Sequence, residues 1–381
     1  MKNYLVHIRR KLHMCPEIGF DLTETLSIVR TELDELGVEY TEDFGKSSIV
    51  ATINGEKKGL TIGIRADMDA LPIKEENNIP YKSQNEGAMH ACGHDVHTAI
   101  ALGALKRINE IRSRIPCCVK FIFQSAEEYT TSGASLMVKD GVMNSIDCII
   151  ALHCDPAFEC GTIAISPGVQ SAISDGFKLE FFGKSAHVAK RENGVDAIMM
   201  AVKAYSNIQL MISRELAATE PVIFNAGTFH GGATNNIICD KTELFCTLRS
   251  LKDESADRII TKIKQICASE AKIAGGKFKF TRVKHYPLLA NDEKMTELII
   301  AAAKKVVGKE NIKPKGTDMI GEDFSYFTAL KPGAMFRLGT KNTNEGICNG
   351  LHTSKFNIDE NAMEIGVKIF VRFILDNAKG F

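Results

Sequence analysis

Nine consecutive residues, Met89-His90-Ala91-Cys92-Gly93-His94-Asp95-Val96-His97, carry a thiol, three imidazoles and a carboxylate. Packing alone does not call for such a density of soft and borderline ligands. Cys92 and His94 are two apart, too close to share one face of a helix but well placed on a turn to grip one ion. Asp95 reads as an N-cap, and Val96, Ile100, Leu105 and Ile108 follow at helical spacing. The expectation is a metal-binding turn at the start of a helix. The competing reading is a buried cysteine beside a capping His-Asp pair.

Three strand-like runs deliver further polar groups at their carboxyl ends. Residues 60–66 lead into Asp67 and Asp69, 117–123 into Glu127-Glu128, and 147–152 into His153. Read blandly, Asp67 and Asp69 are turn formers beside Pro72, and Glu127-Glu128 is a solvated helix start. Strands alternating with helices imply a largely parallel sheet covered on both faces, and such sheets bind ligands outside the strands' carboxyl ends. One surface would then hold the Cys/His turn, the glutamates and His153, joined by His352 from the later Gly350-Leu351-His352. Thiolate, imidazole and carboxylate together suit Zn or a neighbouring first-row ion and argue against Mg or Ca. Adjacent glutamates can divide the work. One binds metal, while Glu127 takes a proton from a metal-activated water and delivers it to a leaving nitrogen.

The rest of the chain must position these groups. At 381 residues it exceeds one ordinary core, so two domains are expected. Apolar residues make up 44% and charged residues 25%, a globular composition. Lys plus Arg and Asp plus Glu are both 47, which gives no electrostatic reason for a nucleic-acid or acidic-membrane partner. No apolar run approaches a membrane span, and the N-terminus has charges where a signal peptide needs apolar residues. The 11 cysteines are scattered without a Cys-x-x-Cys pair, which points to a reducing cytoplasm rather than a disulfide framework. Helices are expected within 1–40, with His13 in the loop between them. Residues 175–287 read as strand, helix, strand, strand, helix, strand, an α+β insert with an antiparallel sheet. The chain then returns to the first domain, with helices over 294–307 and 362–375 and a strand over 334–338. Met199-Met200 is taken as core. His90 and His97 either support the ligands or lie on the helix surface.

The ordered series of motifs resembles a known family along nearly the whole chain. The pieces are Arg10-Lys11-Leu12-His13 with Pro16-Glu17-Ile18-Gly19-Phe20, residues 65–72, 89–97, Phe123-Gln124 with Ala126-Glu127-Glu128, Ala151-Leu152-His153, Gly231-Gly232 with Asn236, Gly321-Glu322-Asp323-Phe324, and Leu351-His352. They resemble the dinuclear-metal amidohydrolases of the aminoacylase metallopeptidase family. That family includes hippurate hydrolases, N-acyl-amino-acid deacylases, auxin–amino-acid conjugate hydrolases and N-acetyldiaminopimelate deacetylases.

The resemblance implies an α/β catalytic domain (1–174 and 288–381) with a mixed, largely parallel sheet. It is interrupted by an α+β, ferredoxin-like lid and dimerisation domain (175–287). The resemblance further implies two divalent ions per subunit, Zn, Mn, Co or Ni, held by Cys92, His94, Glu128, His153 and His352. A metal-bridged water would cleave the amide of an N-acyl amino acid, with Glu127 as general base and His187 stabilising the oxyanion. Asn236 and Arg249 would hold the substrate carboxylate, and Asp67, Asp69 and Asp95 would support the ligands. A homodimer through the lid is expected. The alternatives are a small-peptide exopeptidase and a non-catalytic metal or small-molecule binding protein on the same fold. The chain departs from the family pattern at Ser125 and Cys239, where proline is usual. Residues 188–191 lack a common proline, and Tyr129-Thr130-Thr131-Ser132 stands in place of a Gly-rich run. Tyr129 and its neighbours would narrow the acyl pocket.

Overall fold

The computed structural model describes residues 1–56, 59–129 and 131–378, so Thr130 lies outside the described residues. The chain forms two compact units. The first comprises Met1–Gln170, Ala290–Gly316 and Asp323–Phe381; the second comprises Ser171–Leu289 and Thr317–Glu322.

The first unit opens with α1 (Lys2–Met14) and α2 (Thr23–Glu35), whose Leu5, Ile8, Leu12, Leu26, Val29 and Leu33 are core residues. Their three-to-four-residue spacing gives each helix a single apolar stripe. His13 belongs to the last turn of α1, not to the loop expected after it, and is buried there. Then come β1 (Glu39–Thr41), β2 (Ile49–Asn54), β3 (Thr61–Asp67), α3 (His94–Glu110), β4 (Cys118–Gln124) and α4 (Gly133–Lys139). The strands β5 (Cys148–Glu159), β6 (Ile163–Ala164) and β7 (Gly168–Ser171) complete the run.

The second unit holds β8 (Ile173–Phe182), α5 (Ala197–Glu215), β9 (Val222–Gly231), β10 (Lys241–Ser250), α6 (Asp253–Ala274) and β11 (Lys277–Tyr286). The chain continues through β12 (Leu289–Asn291), α7 (Glu293–Val307), β13 (Ile312–Lys313), α8 (Ser325–Thr328), β14 (Gly333–Lys341) and α9 (Ala362–Asn377).

The larger sheet has the order β1-β2-β4-β3-β5-β14-β6-β13. Its centre, β4-β3-β5-β14, is parallel, while β1/β2, β2/β4 and β14/β6 are antiparallel. The fold class is therefore α/β with a mixed sheet, as expected. Alternation sends Ile64, Phe121, Ile150, Leu152, Phe336 and Leu338 into the core shared with α1, α3 and α9. The other face receives Arg65, Asp67, Gln124, His153 and Arg337. His153 sits within β5 rather than at its end, because β5 runs on to Glu159.

Burying charge on that face demands internal partners. The Arg65 guanidinium, fully buried, donates to Asp67 Oδ2 at 2.7 Å, Asp323 Oδ1 at 2.7 Å and Gln124 Oε1 at 2.9 Å. Asp323 Oδ2 also accepts from Gln124 Nε2 and Ser132 Oγ, both at 2.7 Å. Burial alone would raise the Asp67 pKa; Arg65, His94 and His97 outweigh it and hold the carboxyl well below its usual range.

The second unit is an antiparallel sheet of order β11-β8-β10-β9. Phe177, Leu179, Phe181, Leu244 and Leu248 alternate inward against Met200, Ala204 and Ile208 of α5 and Ile259 and Ile263 of α6. Asp196 caps α5, accepting from Ile198 N at 2.9 Å and Met199 N at 3.1 Å. Of the two methionines assigned to the core, Met200 is buried while Met199 is 51% exposed, because successive helix residues point about 100° apart.

Replacing Arg65 with Met removes the cation shared by two buried carboxylates, Asp67 and Asp323. The expected loss is about 3–5 kcal/mol of unfolding free energy, read from urea denaturation. A loss under about 1 kcal/mol would mean that water already reaches the cluster.

Candidate metal centre

Gly93 has φ +87°, a left-handed conformation that glycine adopts without strain. It turns the chain sharply between Cys92 and His94, and an added Cβ would lie 3.1 Å from the Cβ and Sγ of Cys154. Gly93 is the N-cap of α3, so the expected capping role of Asp95 is not seen: no side chain caps this helix. Asp95 lies in its first turn instead, and its Oδ2 takes Arg9 Nε at 2.8 Å and His13 Nδ1 at 2.7 Å. A fully buried guanidinium needs an anion more than a helix start does. Arg9 and His13 hold the Asp95 pKa far below its usual range against the opposing effect of burial.

Each buried imidazole has its tautomer set by what its Nδ1 touches. His94 Nδ1–H donates to the Asp69 carbonyl at 2.8 Å, which leaves Nε2 with a lone pair. That Nε2 is buried without a hydrogen-bond partner, and Asp67 Oδ2 stands 3.6 Å away. His153 Nδ1–H donates to the Cys154 carbonyl at 2.7 Å, and its Nε2 lies 3.4 Å from Cys92 Sγ. A tetrahedral zinc ion places thiolate and imidazole ligand atoms roughly 3.5 Å apart. His97 is different. Its Nε2 accepts from Cys154 N at 2.9 Å, so its Nδ1–H donates to Asp67 Oδ1 at 2.6 Å. Both nitrogens are used, which leaves His97 no lone pair for a metal although it lies beside Asp67 and His94. His97 and His90 are both buried, so neither is on the helix surface.

The electrostatics favour a cation here. Burial pulls the His94 pKa down, but Asp67 and the Cys92 sulfur push it up by more. Burial and then Glu128 hold the Cys92 pKa well above that of an ordinary thiol. A positive charge at His94 Nε2, whether a proton or a metal ion, is what these acceptors stabilise, and a metal ion would also release the thiolate.

The glutamates are fixed by one carboxylate. Asp69 Oδ1 accepts from Glu127 N at 2.9 Å and Asp69 Oδ2 from Glu128 N at 3.1 Å. Ala126, just before them, has φ +52°, unusual for a residue with a Cβ. Ser125, where proline is usual, uses the N–H that proline lacks to donate to Ser48 Oγ at 3.2 Å. His352 also has a positive φ, +59°, and its N–H donates to Ala91 O at 2.8 Å. Its Nε2 is 2.9 Å from Glu128 Oε1. Among the described residues, three of the five groups of potential ligand atoms combine the expected ligands: Cys92 with His94 and His153, Cys92 with Glu128 and His352, and His94 with Glu127 and Glu128. All five expected ligands and Glu127 thus converge. This donor set, with its orphaned His94 Nε2, fits first-row metal ions.

Tyr129 borders this site. Its ring lies over Gly19, where an added Cβ would be 3.1 Å from Cδ2, and meets Phe20 edge-on at 6.0 Å. Tyr129 is 48% exposed and Ile18 36%.

In the second unit, Ala189 N donates to His187 Nδ1 at 3.1 Å, so neutral His187 carries its proton on Nε2. His187 neighbours Asn236, whose carbonyl accepts from Val188 N at 3.1 Å. Arg249 is half-buried and donates to Leu248 O at 3.2 Å and to Thr247; burial lowers its pKa. Sequence reasoning missed the lock on His97 and the Arg9–Asp95–His13 cluster. The third histidine of the 89–97 run was the only signal for the former.

Lone-pair imidazoles, a thiol and carboxylates converging beside a second glutamate, on an α/β unit interrupted by an α+β one, mark a metal-dependent hydrolase of amide bonds. The model of peptidase family M20/M25/M40 matches residues 63–376, and the chain belongs to that family. It is 34% identical to the N-acetyl-L-cysteine deacetylase of Bacillus subtilis, over 95% of this chain and 85% of that protein. It is 32% identical to thermostable carboxypeptidase 2 of Saccharolobus solfataricus, over 96% and 93% of the two chains. The crystal structure of the YXEP protein of Bacillus subtilis, described as a dinuclear metal binding peptidase, superposes with a TM-score of 0.81 at 28% identity. That match covers 98% of each chain.

Gly93→Ala should strain the turn and push on Cys154, displacing Cys92 and His94. Metal content by elemental analysis should fall at least about threefold while far-ultraviolet circular dichroism is retained; one left-handed alanine costs about 1–2 kcal/mol. Full metal content would show that the turn tolerates a Cβ.

Proposed function

We propose that this hydrolase removes the acyl group from N-acyl amino acids, in the manner of a deacetylase or aminoacylase. The observation that carries the reading is the placement of Glu127. Its amide is anchored by Asp69, beside a set of ligand atoms that the neighbouring Glu128 already helps to complete. Cys92, His94, Glu128, His153 and His352 would hold two divalent ions per subunit (Zn, Mn, Co or Ni), with Asp67, Asp69 and Asp95 fixing the surrounding shape. Ions bound there would supply Lewis acidity, polarising the amide carbonyl and acidifying water.

Glu127 takes the proton from the attacking water and passes it to the leaving nitrogen. The Nε2–H of His187 is a donor suited to the oxyanion. Asn236 and Arg249 receive the substrate carboxylate, for which a guanidinium fork is well shaped. In this reading residues 1–174 and 288–381 are the catalytic domain and 175–287 a lid that also dimerises. Exposed Met199, Val202 and Leu210 on α5 and Phe229 on the edge strand β9 support a second copy as partner. The 11 cysteines support a reducing, cytoplasmic setting.

A small-peptide exopeptidase is the second reading, favoured by the likeness to a protein named carboxypeptidase. A panel of N-acetyl amino acids, hippurate and dipeptides separates the two after metal reconstitution. Hydrolysis of the acyl amino acids is expected, and hydrolysis of dipeptides alone would overturn the proposal. In Glu127→Ala, metal content should persist while kcat falls about 100- to 10,000-fold; surviving turnover would remove Glu127 from its role.

Ile18, Phe20 and Tyr129 would form the wall of the acyl pocket. Tyr129→Gly should shift the acyl-chain profile towards longer groups by about tenfold in relative kcat/KM, since one or two methylenes are worth roughly 1–3 kcal/mol. An unchanged profile would place the pocket elsewhere.

A further inference from the structure

Two guanidiniums occupy the polar face of the large sheet, and they are treated differently. Arg65 is surrounded by Asp67, Asp323 and Gln124. The guanidinium of Arg337, half-buried on β14, makes no hydrogen bond or ion pair among the described residues. Arg337 and His153 are partners in the parallel register of β14 and β5, so their Cα atoms are roughly 5 Å apart. Both point away from the core, because their neighbours Leu152, Cys154, Phe336 and Leu338 fill it. A cation beside ligands that gather further cations is repelled unless an anion lies between them.

The sheet order says which part of a substrate that anion belongs to. Glu127, Glu128 and Tyr129 leave β4, whereas Arg337 stands on β14, with β3 and β5 between. The proposed acyl wall therefore flanks one side of the centre and Arg337 the other. We propose that Arg337 binds a side-chain carboxylate on the amino-acid portion of the substrate, which makes acidic N-acyl amino acids the favoured class. This rests on the hydrolase reading of the same centre. Lone Arg337 is a fork suited to a carboxylate, and it is distinct from Arg249, assigned to the carboxylate common to all such substrates.

The test compares N-acetyl-L-glutamate with N-acetyl-L-glutamine, which have nearly the same shape and differ in charge. The wild-type enzyme, loaded with metal, should prefer the glutamate compound in kcat/KM by about tenfold or more. Arg337→Leu should cut that ratio by about tenfold, and Arg337→Lys should retain most of it, which a purely structural role for the side chain would not produce. Calorimetry with the products L-glutamate and L-glutamine should show the same order of binding in the wild type and its loss in Arg337→Leu. An equal ratio in wild type and Arg337→Leu overturns the assignment. Were no acyl amino acid hydrolysed, the N-acyl reading would fall, and the calorimetry would still decide: L-glutamate bound no more tightly than L-glutamine refutes the role of Arg337.

Discussion

Buried carboxylates must be answered by donors, and the centre is shaped by that requirement. Asp69 sits just past β3 and spends both oxygens on the successive amides of Glu127 and Glu128, just past β4. One side chain thus ties two parallel strand exits together and fixes where both glutamates begin. Its neighbour Asp67 answers Arg65 and His97, and His97 in turn receives the amide of Cys154 on β5. Adjacent β4, β3 and β5 are therefore laced together at one level by side chains as well as by the sheet ladder. Moving any one of these groups takes a partner from a buried charge, so the positions of the proposed ligands are coupled.

The long elements were legible because their patterns are local. Helix α6 falls at 253–274, and the strand–helix–strand–strand–helix–strand order of the second unit follows from residue periodicity alone. The short strands β1, β6, β7, β12 and β13 were not legible, since two to four residues carry no period. The ligand-rich turn was visible by composition, and its partners by lying near strand ends. Their convergence was not, because nothing local in residues 89–97 announces Glu128 or His352. That came through the resemblance and the sheet.

The misreading of Asp95 is instructive in the same way. An aspartate near a helix start is a cap on local grounds, and Arg9, some eighty residues earlier in the chain, overrides those grounds by being buried. The misreading of Met199 is the converse. Apolar character does not ensure burial, and α5 leaves Met199, Val202 and Leu210 exposed. A tertiary partner for a charge and a missing partner for an apolar face are both invisible to periodicity.

Four histidines show how one residue type is divided among different tasks by its second nitrogen. In His94 and His153 a backbone carbonyl takes Nδ1–H, so Nε2 offers a lone pair to an ion. In His97 a carboxylate and an amide take both nitrogens, and the ring becomes a strut. In neutral His187 a backbone amide occupies Nδ1, so Nε2 carries the proton and can donate it. These three arrangements differ only in whether a C=O, an N–H or a carboxylate faces the imidazole. The backbone around each histidine, rather than the histidine itself, therefore sets whether it can serve as ligand, strut or donor.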